Sequence, residues 1–334
     1  MAAEPVRRIA VLAHGRSGST LLQSIFLSRC DALTFFEPCR HSPLGDVRRG
    51  RCIAQVLRFL RCDLPERDGR WDPPAVRGWL MHPYREANTT CQTLPPFTSV
   101  RATAQACRRA KLLLVKEIRL VGQLSQLAAA LVRERMEPAA APTTAPGAAA
   151  TSTAPGATAL IHVVRDPRAM LASQKRLRWW PKWHGREKGT RRQQLAEMER
   201  VASHQCNGML SDAAAGDALQ RRGHVRYVLV RFEELSSDVQ TTTGRLYAQL
   251  GLPVPHETRA WLERTRRGQC VNSNATVARI TRNSSAAEQF EYGTCRTSAT
   301  RRDRWKHMLR PTEKRILARV CAEALSRFGY TDLE

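Results

Sequence analysis

The feature that most constrains the fold is a strand-like segment that runs into a glycine-containing turn and then into a helical pattern. Val6–Ala13 is mainly apolar, and His14–Thr20 contains two glycines. The helical pattern that follows places apolar residues on one face, at Leu21, Leu22, Ile25 and Phe26. In such a unit the N–H groups of the turn and of the first helical residues stabilise an anion. The N-terminal segment therefore predicts a phosphate-binding α/β domain.

The turn is similar in outline to a nucleotide-binding P-loop but differs in its cation. A P-loop reads GxxxxGK[ST], whereas Ser19 stands at the lysine position and Arg16 supplies a cation inside the turn. The turn therefore suits a phosphate-like group, but it lacks the lysine that holds a γ-phosphate, which argues against a nucleoside kinase. The predicted anion-binding residues are Gly15, Arg16, Ser17, Gly18, Ser19 and Thr20.

Strand and helix patterns alternate along the rest of the chain. The further predicted strands are Leu33–Phe36, Lys111–Lys116, Ala159–Val164 and Val225–Val230. The further predicted helices are Ile53–Leu60, Val121–Met136, Arg191–Leu210, Val239–Leu250 and Pro311–Phe328. This alternation predicts a P-loop-like parallel sheet flanked by helices, in one α/β domain that spans residues 1–334. Residues 137–158, rich in Ala, Pro and Thr, cannot pack a core and predict a disordered insertion within that domain.

A second candidate anion-binding element follows the strand at Ala159–Val164. Arg165 stands where that strand ends, at the sheet edge where parallel sheets bind ligands. Ser173 comes about two helical turns later, so the two side chains predict a second phosphate subsite, distinct from the one at Arg16. A structural interpretation is compatible with this one, in which Asp166 caps a helix and Pro167 occupies its first turn.

The charge of the chain points to an anionic partner. Lys and Arg total 54 against 30 acidic residues, which gives a net charge of +24 and an isoelectric point near 10.8. This balance suits nucleic acid, a phosphorylated cofactor, an acidic glycan or a membrane surface. Only seven of the basic residues are lysines, and an arginine excess accompanied by much Ala, Gly and Pro also arises from GC-rich coding sequence. Individual arginines must therefore be argued from their positions.

Ten cysteines form no CxxC pair, which excludes zinc-ribbon and thioredoxin-like motifs. Six of them precede Lys111, in a region with little periodicity, as expected for loops joined by disulfides. Three Asn-x-Ser/Thr sequons begin at Asn88, Asn274 and Asn283. Cysteines and sequons together favour the secretory pathway and a glycoprotein. The chain has no apolar run of membrane-spanning length and no signal-peptide pattern, so we expect no membrane anchor within it.

Beyond these patterns, the residues resemble the Golgi carbohydrate sulfotransferases of the galactose/N-acetylglucosamine/N-acetylgalactosamine 6-O-sulfotransferase group. Arg16–Leu21 is similar to the 5′-phosphosulfate loop of that family, and Arg165–Ala169 with Ser173 is similar to its 3′-phosphate element. Further similarities occur in the same order along the chain, at Phe36–Pro38, Arg61–Asp63, Val115–Lys116 with Arg119, Val230–Leu235, Leu246–Tyr247, Gly251–Pro253, Arg282–Ser285 and Trp305–Lys306.

The resemblance implies a sulfotransferase fold, a cofactor and a reaction. The cofactor is 3′-phosphoadenosine-5′-phosphosulfate (PAPS), and the acceptor is a hydroxyl of a glycan or glycoprotein, expected to be a 6-OH of Gal, GlcNAc or GalNAc and in some substrates anionic. In-line sulfuryl transfer needs cations at the leaving phosphate, a role for which Arg16 and Lys116 are suited. It also needs a base for the attacking hydroxyl, and Glu37 matches the base position of the related tyrosylprotein sulfotransferases.

The same resemblance implies which residues bind the cofactor and where the protein works. The residues that it assigns to PAPS are Gly15, Arg16, Ser17, Gly18, Ser19, Thr20, Arg165, Asp166, Pro167, Arg168 and Ser173. It implies residence in the Golgi lumen, although no signal or membrane-spanning segment in this chain supports that location. His14, His41 and His162 have no metal-ligand spacing, so the sequence predicts no metal site.

The chain departs from the family pattern at Phe232, where the family usually has Tyr, and in the stretch Phe290–Arg302, which is expanded. The tryptophans of Trp179–His184 either stack on sugar faces or pack a loop against the core. Two further functions remain open at this stage: a tyrosylprotein sulfotransferase, which shares both cofactor elements, and a basic nucleic-acid-binding protein. The spread of arginines along the whole chain argues against the second of these, and no nucleic-acid partner is expected.

Overall fold

A computed structural model describes residues 6–41, 50–64, 80–81, 100–136, 157–177, 179, 190–223, 225–267 and 303–330. Within these ranges the strands are β1 (Val6–Ala13), β2 (Ala32–Phe36), β3 (Leu80–Met81), β4 (Leu112–Glu117), β5 (Ala157–Val164) and β6 (Arg226–Arg231). They form one sheet in the order β3-β2-β4-β1-β5-β6. Every pairing is parallel except that of β2 with the two-residue edge strand β3. The predicted parallel α/β sheet is thereby confirmed, with one antiparallel edge that the sequence did not indicate.

The helices lie between and after the strands. They are α1 (Ser19–Leu27), α2 (Arg51–Leu60), α3 (Val100–Arg109), α4 (Leu124–Met136), α5 (Pro167–Arg176), α6 (Arg191–Arg222), α7 (Phe232–Ser237), α8 (Val239–Leu250), α9 (His256–Arg266), α10 (Trp305–Met308), α11 (Pro311–Val320) and α12 (Ala322–Arg327). A 3₁₀ turn, Pro38–His41, follows β2. No helix among the residues of these ranges is both long and apolar enough to cross a membrane.

Residues on alternate sides of the central strand β1 belong to two separate cores. Ile9 and Val11 face α1 and α8, in a cluster that includes the stacked rings of Phe26 and Tyr247. Leu12 faces the other layer, which contains α2, α4 and the C-terminal part of α6. Because both faces of β1 are covered, nearly all of its residues must be apolar, and this explains the continuous apolar run in the sequence.

Two helix boundaries differ from their predicted positions by three residues or more. The helix predicted from Val121 begins at Leu124, because Gly122 has a positive φ of 72° and Asp212 accepts the backbone N–H groups of Gly122 and Leu124. Helix α6 continues twelve residues beyond the predicted end at Leu210, because its Ala-rich last turns pack on the sheet.

The predicted C-terminal helix is also divided in two at Cys321. Leu317 and Leu325 would point about 80° apart on a straight helix, and the break lets both side chains enter one core. The predicted insertion ends earlier than residue 158, because Ala157 and Thr158 pair with β1. The remainder of the insertion, residues 137–156, lies outside the described ranges.

Disulfides join Cys39 to Cys52, Cys62 to Cys107 and Cys206 to Cys321. The first two fasten the region between β2 and β4, as the cysteine distribution predicted. The third links α6 to the C-terminal helices, a connection that the distribution did not suggest. The three sequons lie outside the described ranges.

Candidate functional site

The predicted site residues lie along one edge of the sheet, where β1, β2, β4 and β5 end. The loop after β1 carries Arg16, Glu37 directly follows β2, and Lys116 is the penultimate residue of β4. Arg165 directly follows β5. Parallel strands end at the same edge of a sheet, so residues that are far apart in the chain meet here.

At position 18 the β1–α1 loop has a backbone conformation and close neighbours that only glycine accommodates. Gly18 has a φ of 87°, and a Cβ atom there would overlap the ring of Phe232. At Gly15 a Cβ atom would overlap the ring of Trp179, and Gln174 donates a hydrogen bond of 2.7 Å to the Gly15 carbonyl. Gly18 is also the N-cap of α1 and provides no side-chain cap. The first N–H groups of α1 therefore remain available to an anion.

The two predicted anion-binding elements are joined by direct hydrogen bonds. Arg16 also has a positive φ, of 74°, and its Nε donates to the Ser173 hydroxyl at 3.1 Å. Arg165 donates from a terminal guanidinium nitrogen to the Arg16 carbonyl at 2.9 Å. The two joined elements are called the cradle here, and their use as two distinct phosphate subsites stays a prediction.

Two polar groups of this cradle are buried without a hydrogen-bond partner among the described residues. They are the hydroxyl of Ser17 and the Nε of Arg165. The Arg165 guanidinium also stacks on the ring of Phe232, with its central carbon 4.5 Å from the ring centroid. A buried donor without an acceptor is costly, so these groups mark a place where an anionic ligand would complete the hydrogen bonding.

Asp166, Pro167 and Arg168 fix the start of α5. Asp166 accepts the Arg168 backbone N–H at 2.8 Å and Pro167 opens the helix, as the structural interpretation of the sequence predicted. The Arg168 guanidinium is buried, pairs with the Asp166 carboxylate at 2.8 Å, donates to the Tyr330 carbonyl and lies over the ring of Trp305. Its contact with a cofactor stays a prediction, and in this structure its side chain joins the element to the C-terminal segment.

Glu37, Lys116 and Arg119 form the second part of the site. Lys116 Nζ lies 2.8 Å from one Glu37 carboxylate oxygen and Arg119 lies 3.1 Å from the other. Burial by itself would raise the pKa of Glu37, but the Lys116 ammonium and the Arg119 guanidinium outweigh it and hold that pKa below its ordinary value. Burial lowers the pKa of Lys116, and Glu37 opposes that change. The two cations therefore keep the Glu37 carboxylate ionised.

Sequence reasoning missed the residues that hold these groups in place. Glu117 is buried and accepts the backbone N–H groups of Cys39, Ile118 and Arg119 at 2.9, 2.9 and 3.1 Å. Glu233 accepts the Asp166 N–H at 3.0 Å and the Tyr330 hydroxyl at 2.8 Å. Both carboxylates lie within the stretches of sequence on which the family resemblance is based. An acidic residue directly next to an apolar strand is the signal in the sequence that could have identified them.

Comparison with known proteins agrees with this architecture. Carbohydrate sulfotransferase 1 of Mus musculus is 24% identical over 351 residues, which cover 96% of this chain and 79% of that protein. Carbohydrate sulfotransferase 3 of Homo sapiens is 24% identical over 369 residues, which cover 98% of this chain and 68% of that protein.

A solved structure and a family model agree with these relatives. The sulfotransferase domain of the Synechococcus PCC 7002 olefin synthase has a TM-score of 0.50 and 17% identity, with 99% of this chain and 97% of that chain covered. It has the same fold. The model of the sulfotransferase family matches residues 8–256, which include both predicted anion-binding elements and the Glu37–Lys116 pair. The chain thus belongs to the sulfotransferase family.

Proposed function

We propose that this protein transfers the sulfuryl group of PAPS to a carbohydrate hydroxyl. One observation carries the proposal: two features lie at the same edge of the sheet. The first is the cradle, which has buried donors without a partner among the described residues. The second is an ionised carboxylate that is paired with a buried lysine. Sulfuryl transfer needs both a site for the anionic leaving group and a base for the hydroxyl. The names of the two relatives support a carbohydrate acceptor.

The residues present fit PAPS. The β1–α1 loop, with the Ser17 hydroxyl and the first N–H groups of α1, would hold the 5′-phosphosulfate. Arg165 and Ser173 would hold the 3′-phosphate, and the unpartnered Nε of Arg165 supports this assignment. Asp166, Pro167 and Arg168 would hold the element in position through the cap of α5.

When bound, PAPS supplies an activated sulfuryl group and a phosphate leaving group. Glu37 accepts the proton of the attacking hydroxyl, and its lowered pKa keeps it unprotonated at neutral pH. Lys116 and Arg16 are the cations that stabilise negative charge on the leaving phosphate. The Glu37 carboxylate and Lys116 ammonium are already paired, so both groups are oriented before substrate binds, which lowers the cost of reaching the reactive arrangement.

The acceptor in this proposal is a glycan with a free primary hydroxyl, the 6-OH of Gal, GlcNAc or GalNAc, and the setting is the Golgi lumen. The disulfides among the described residues support an oxidising compartment, and the net charge of +24 supports an anionic acceptor. Trp179 lies against Gly15 of the loop and packs against the apolar cluster of α5, α6 and the C-terminal helices, which is the packing role that the sequence left open. The remaining tryptophans of Trp179–His184 lie outside the described ranges.

Cofactor binding tests the first half of the proposal. The full chain is titrated with 3′-phosphoadenosine-5′-phosphate (PAP) and with ATP, alongside an Arg165→Ala variant. An Arg200→Ala variant is the matched control, because Arg200 pairs with Glu197 on the exposed face of α6. We expect PAP to bind more tightly than ATP and the Arg165→Ala variant alone to lose PAP. Equal weak binding of both nucleotides, unaffected by Arg165→Ala, would exclude the PAPS-dependent function.

Acceptor screening tests the second half. Transfer of labelled sulfate from PAPS is measured to Gal-, GlcNAc- and GalNAc-containing oligosaccharides and to a tyrosine-containing acidic peptide. We expect transfer to a sugar and no transfer to the peptide. Transfer to the peptide alone would replace the carbohydrate assignment with that of a tyrosylprotein sulfotransferase, and the PAP titration would still hold.

A further inference from the structure

Three buried side chains with metal-ligand chemistry meet beneath the β1–α1 loop. His14 directly follows β1, His162 lies in the neighbouring strand β5, and Asp212 lies in α6. One ligand atom of each residue lies within 4.8 Å of the ligand atoms of the other two, and all three side chains are buried. Among the residues that the structure describes, this is the one such cluster without a disulfide among its members.

Each of the two imidazoles has its Nδ1 next to an oxygen of a neighbouring side chain. His14 Nδ1 lies 2.7 Å from the side-chain oxygen of Gln205, which can only accept a hydrogen bond, so Nδ1 carries the proton and Nε2 has a lone pair. His162 Nδ1 lies 3.1 Å from the Tyr227 hydroxyl. Ligating histidines have this arrangement, in which one ring nitrogen is held by an oxygen and the other faces the metal.

The two Nε2 atoms have no hydrogen-bond partner within the described ranges, although both are buried. His14 Nε2 is 3.6 Å from the nearer Asp212 oxygen, which is beyond hydrogen-bond distance. Asp212 accepts the N–H groups of Gly122 and Leu124, and each of its oxygens retains a second lone pair. The lone pair of His14 Nε2 and the negative charge of Asp212 lie 3.6 Å apart in a buried space, and they repel unless a cation or a proton lies between them.

We propose that His14, His162 and Asp212 bind one divalent cation of the zinc class. Zinc bonds of about 2.0–2.1 Å to nitrogen and oxygen place tetrahedral ligands about 3.4 Å apart, close to the 3.6 Å between His14 and Asp212. The other atoms need to approach by about 1.4 Å at most to reach this spacing. Three protein ligands leave the fourth position to water.

The consequence of such a site is structural. A cation there would fasten the end of β1, from which the β1–α1 loop begins, to β5 and to the long helix α6. A Cβ atom at Gly208 of α6 would overlap the Val121 side chain and would lie 3.2 Å from the Gly122 nitrogen and 3.5 Å from a carbon of the His14 ring, so α6 already approaches this region closely. The cation would thereby fix the position of the loop relative to the sheet. It would take no part in sulfuryl transfer itself.

Metal content is the test. The full-length protein is stripped with a chelator, dialysed against Zn²⁺ and assayed by elemental analysis, and Co²⁺ is used in parallel for its absorption spectrum. The variants are His14→Gln and His162→Gln, with His256→Gln on the exposed start of α9 as matched control. We expect about one Zn²⁺ per chain, and the absorption of four-coordinate Co²⁺, in the wild type and in the control, with both lost in the two cluster variants.

A second variant keeps the test decisive if the histidine variants fail to fold. Tyr227→Phe removes only the hydroxyl that faces His162, and we expect it to weaken Zn²⁺ binding by about 10–100-fold. We also expect Zn²⁺ to raise the Tm of the wild type, and to do so less at equal concentration in Tyr227→Phe. A stripped wild type that takes up no Zn²⁺ or Co²⁺ would overturn the proposal, and the buried space would then hold water.

Discussion

Glu37 shows how much of the proposed chemistry depends on a few atoms. Its backbone has a positive φ of 47°, an uncommon conformation for a residue with a side chain, and its N–H donates to the Lys116 carbonyl at 2.8 Å. This backbone conformation directs the Glu37 carboxylate to the Lys116 ammonium. The same ammonium also lies 3.7 Å from the centroid of the Phe36 ring. The carboxylate is therefore fixed in orientation by its neighbours before any ligand binds.

Glu37→Gln removes the proposed base and keeps nearly the same shape. We expect kcat for sulfuryl transfer to fall by about 10²–10⁴-fold, because an amide accepts no proton, while PAP binding is unchanged. Steady-state kinetics and PAP titration measure the two effects, with Glu263→Gln on the exposed face of α9 as control. An activity within a factor of a few of the wild type would remove Glu37 from the base role.

Lys116, and after it Arg119, lower the pKa of Glu37. Because Lys116 and Arg119 hold the pKa of Glu37 below its ordinary value, the acid limb of kcat/KM should lie below the pH range in which a glutamate ordinarily titrates. Arg119→Gln removes one of the two cations, so the folded-state pKa rises and the limb moves to higher pH. A pH–rate profile measures the shift, and Arg58→Gln, an exposed arginine paired with Asp63, should leave it unmoved. A limb that stays in place in Arg119→Gln would contradict the assignment.

At the scale of secondary-structure elements, the end of β4 holds the turn that follows β2. Glu117 accepts the N–H of Cys39 in that 3₁₀ turn, and the disulfide from Cys39 to Cys52 attaches the same turn to α2. Burial raises the pKa of Glu117, which the hydrogen bonds it accepts partly offset. The Glu117 carboxylate of β4 and the Cys39–Cys52 disulfide thus hold the turn that directly follows Glu37.

Glu117→Gln tests this positioning. The amide NH₂ must face one of the N–H donors that the carboxylate now accepts, so the turn that bears Glu37 should shift. We expect kcat to fall about tenfold, equal to about 1.4 kcal/mol, with the KM for PAPS unchanged. Glu117→Asp, which keeps both acceptor oxygens, should recover part of the loss, and Glu197→Gln on exposed α6 should have no effect. A change in KM without a change in kcat would contradict a positioning role.

At the scale of the whole molecule, the C-terminal segment completes the site. Tyr330 donates its hydroxyl to Glu233 and accepts from Arg168 through its carbonyl, so the last described turn holds both α5 and α7. The disulfide between Cys206 and Cys321 links α6 to the C-terminal helices across 115 residues of sequence. Lys175 of α5 and Glu313 of α11 form a further contact at 2.6 Å.

Removal of that disulfide should lower global stability. For the double variant Cys206→Ala/Cys321→Ala we expect a loss of about 2–5 kcal/mol in the free energy of unfolding, because a long loop is released in the unfolded chain. Denaturant unfolding of the wild type and the variant, both without reductant, measures the difference. The variant should also bind PAP more weakly at elevated temperature, where the C-terminal segment separates first. A denaturant midpoint of unfolding equal to that of the wild type would contradict a stabilising role for the Cys206–Cys321 disulfide.

Local patterns determined the fold class and the cradle. Strand burial, a positive φ and an N-cap each depend on a few adjacent positions. Neighbouring residues were therefore enough to predict the strand at Val6–Ala13, the glycine turn at position 18 and the helix start at Asp166–Pro167. The same locality explains the errors. The end of α6 and the break at Cys321 depend on packing against distant segments, which the sequence pattern does not contain.

Only the tertiary structure decided which side chains meet. His14, His162 and Asp212 have no ligand spacing in the sequence, yet β1, β5 and α6 bring them within 4.8 Å of one another. Arg119 and Glu117 likewise acquire their roles from the neighbours that β2 and β4 give them. The sequence by itself determined a parallel α/β sheet with an anion loop, because those signals are periodic and local. The structure decided the electrostatic environment of Glu37 and the histidine cluster, because Coulomb interactions depend on distance in space and not on separation along the chain.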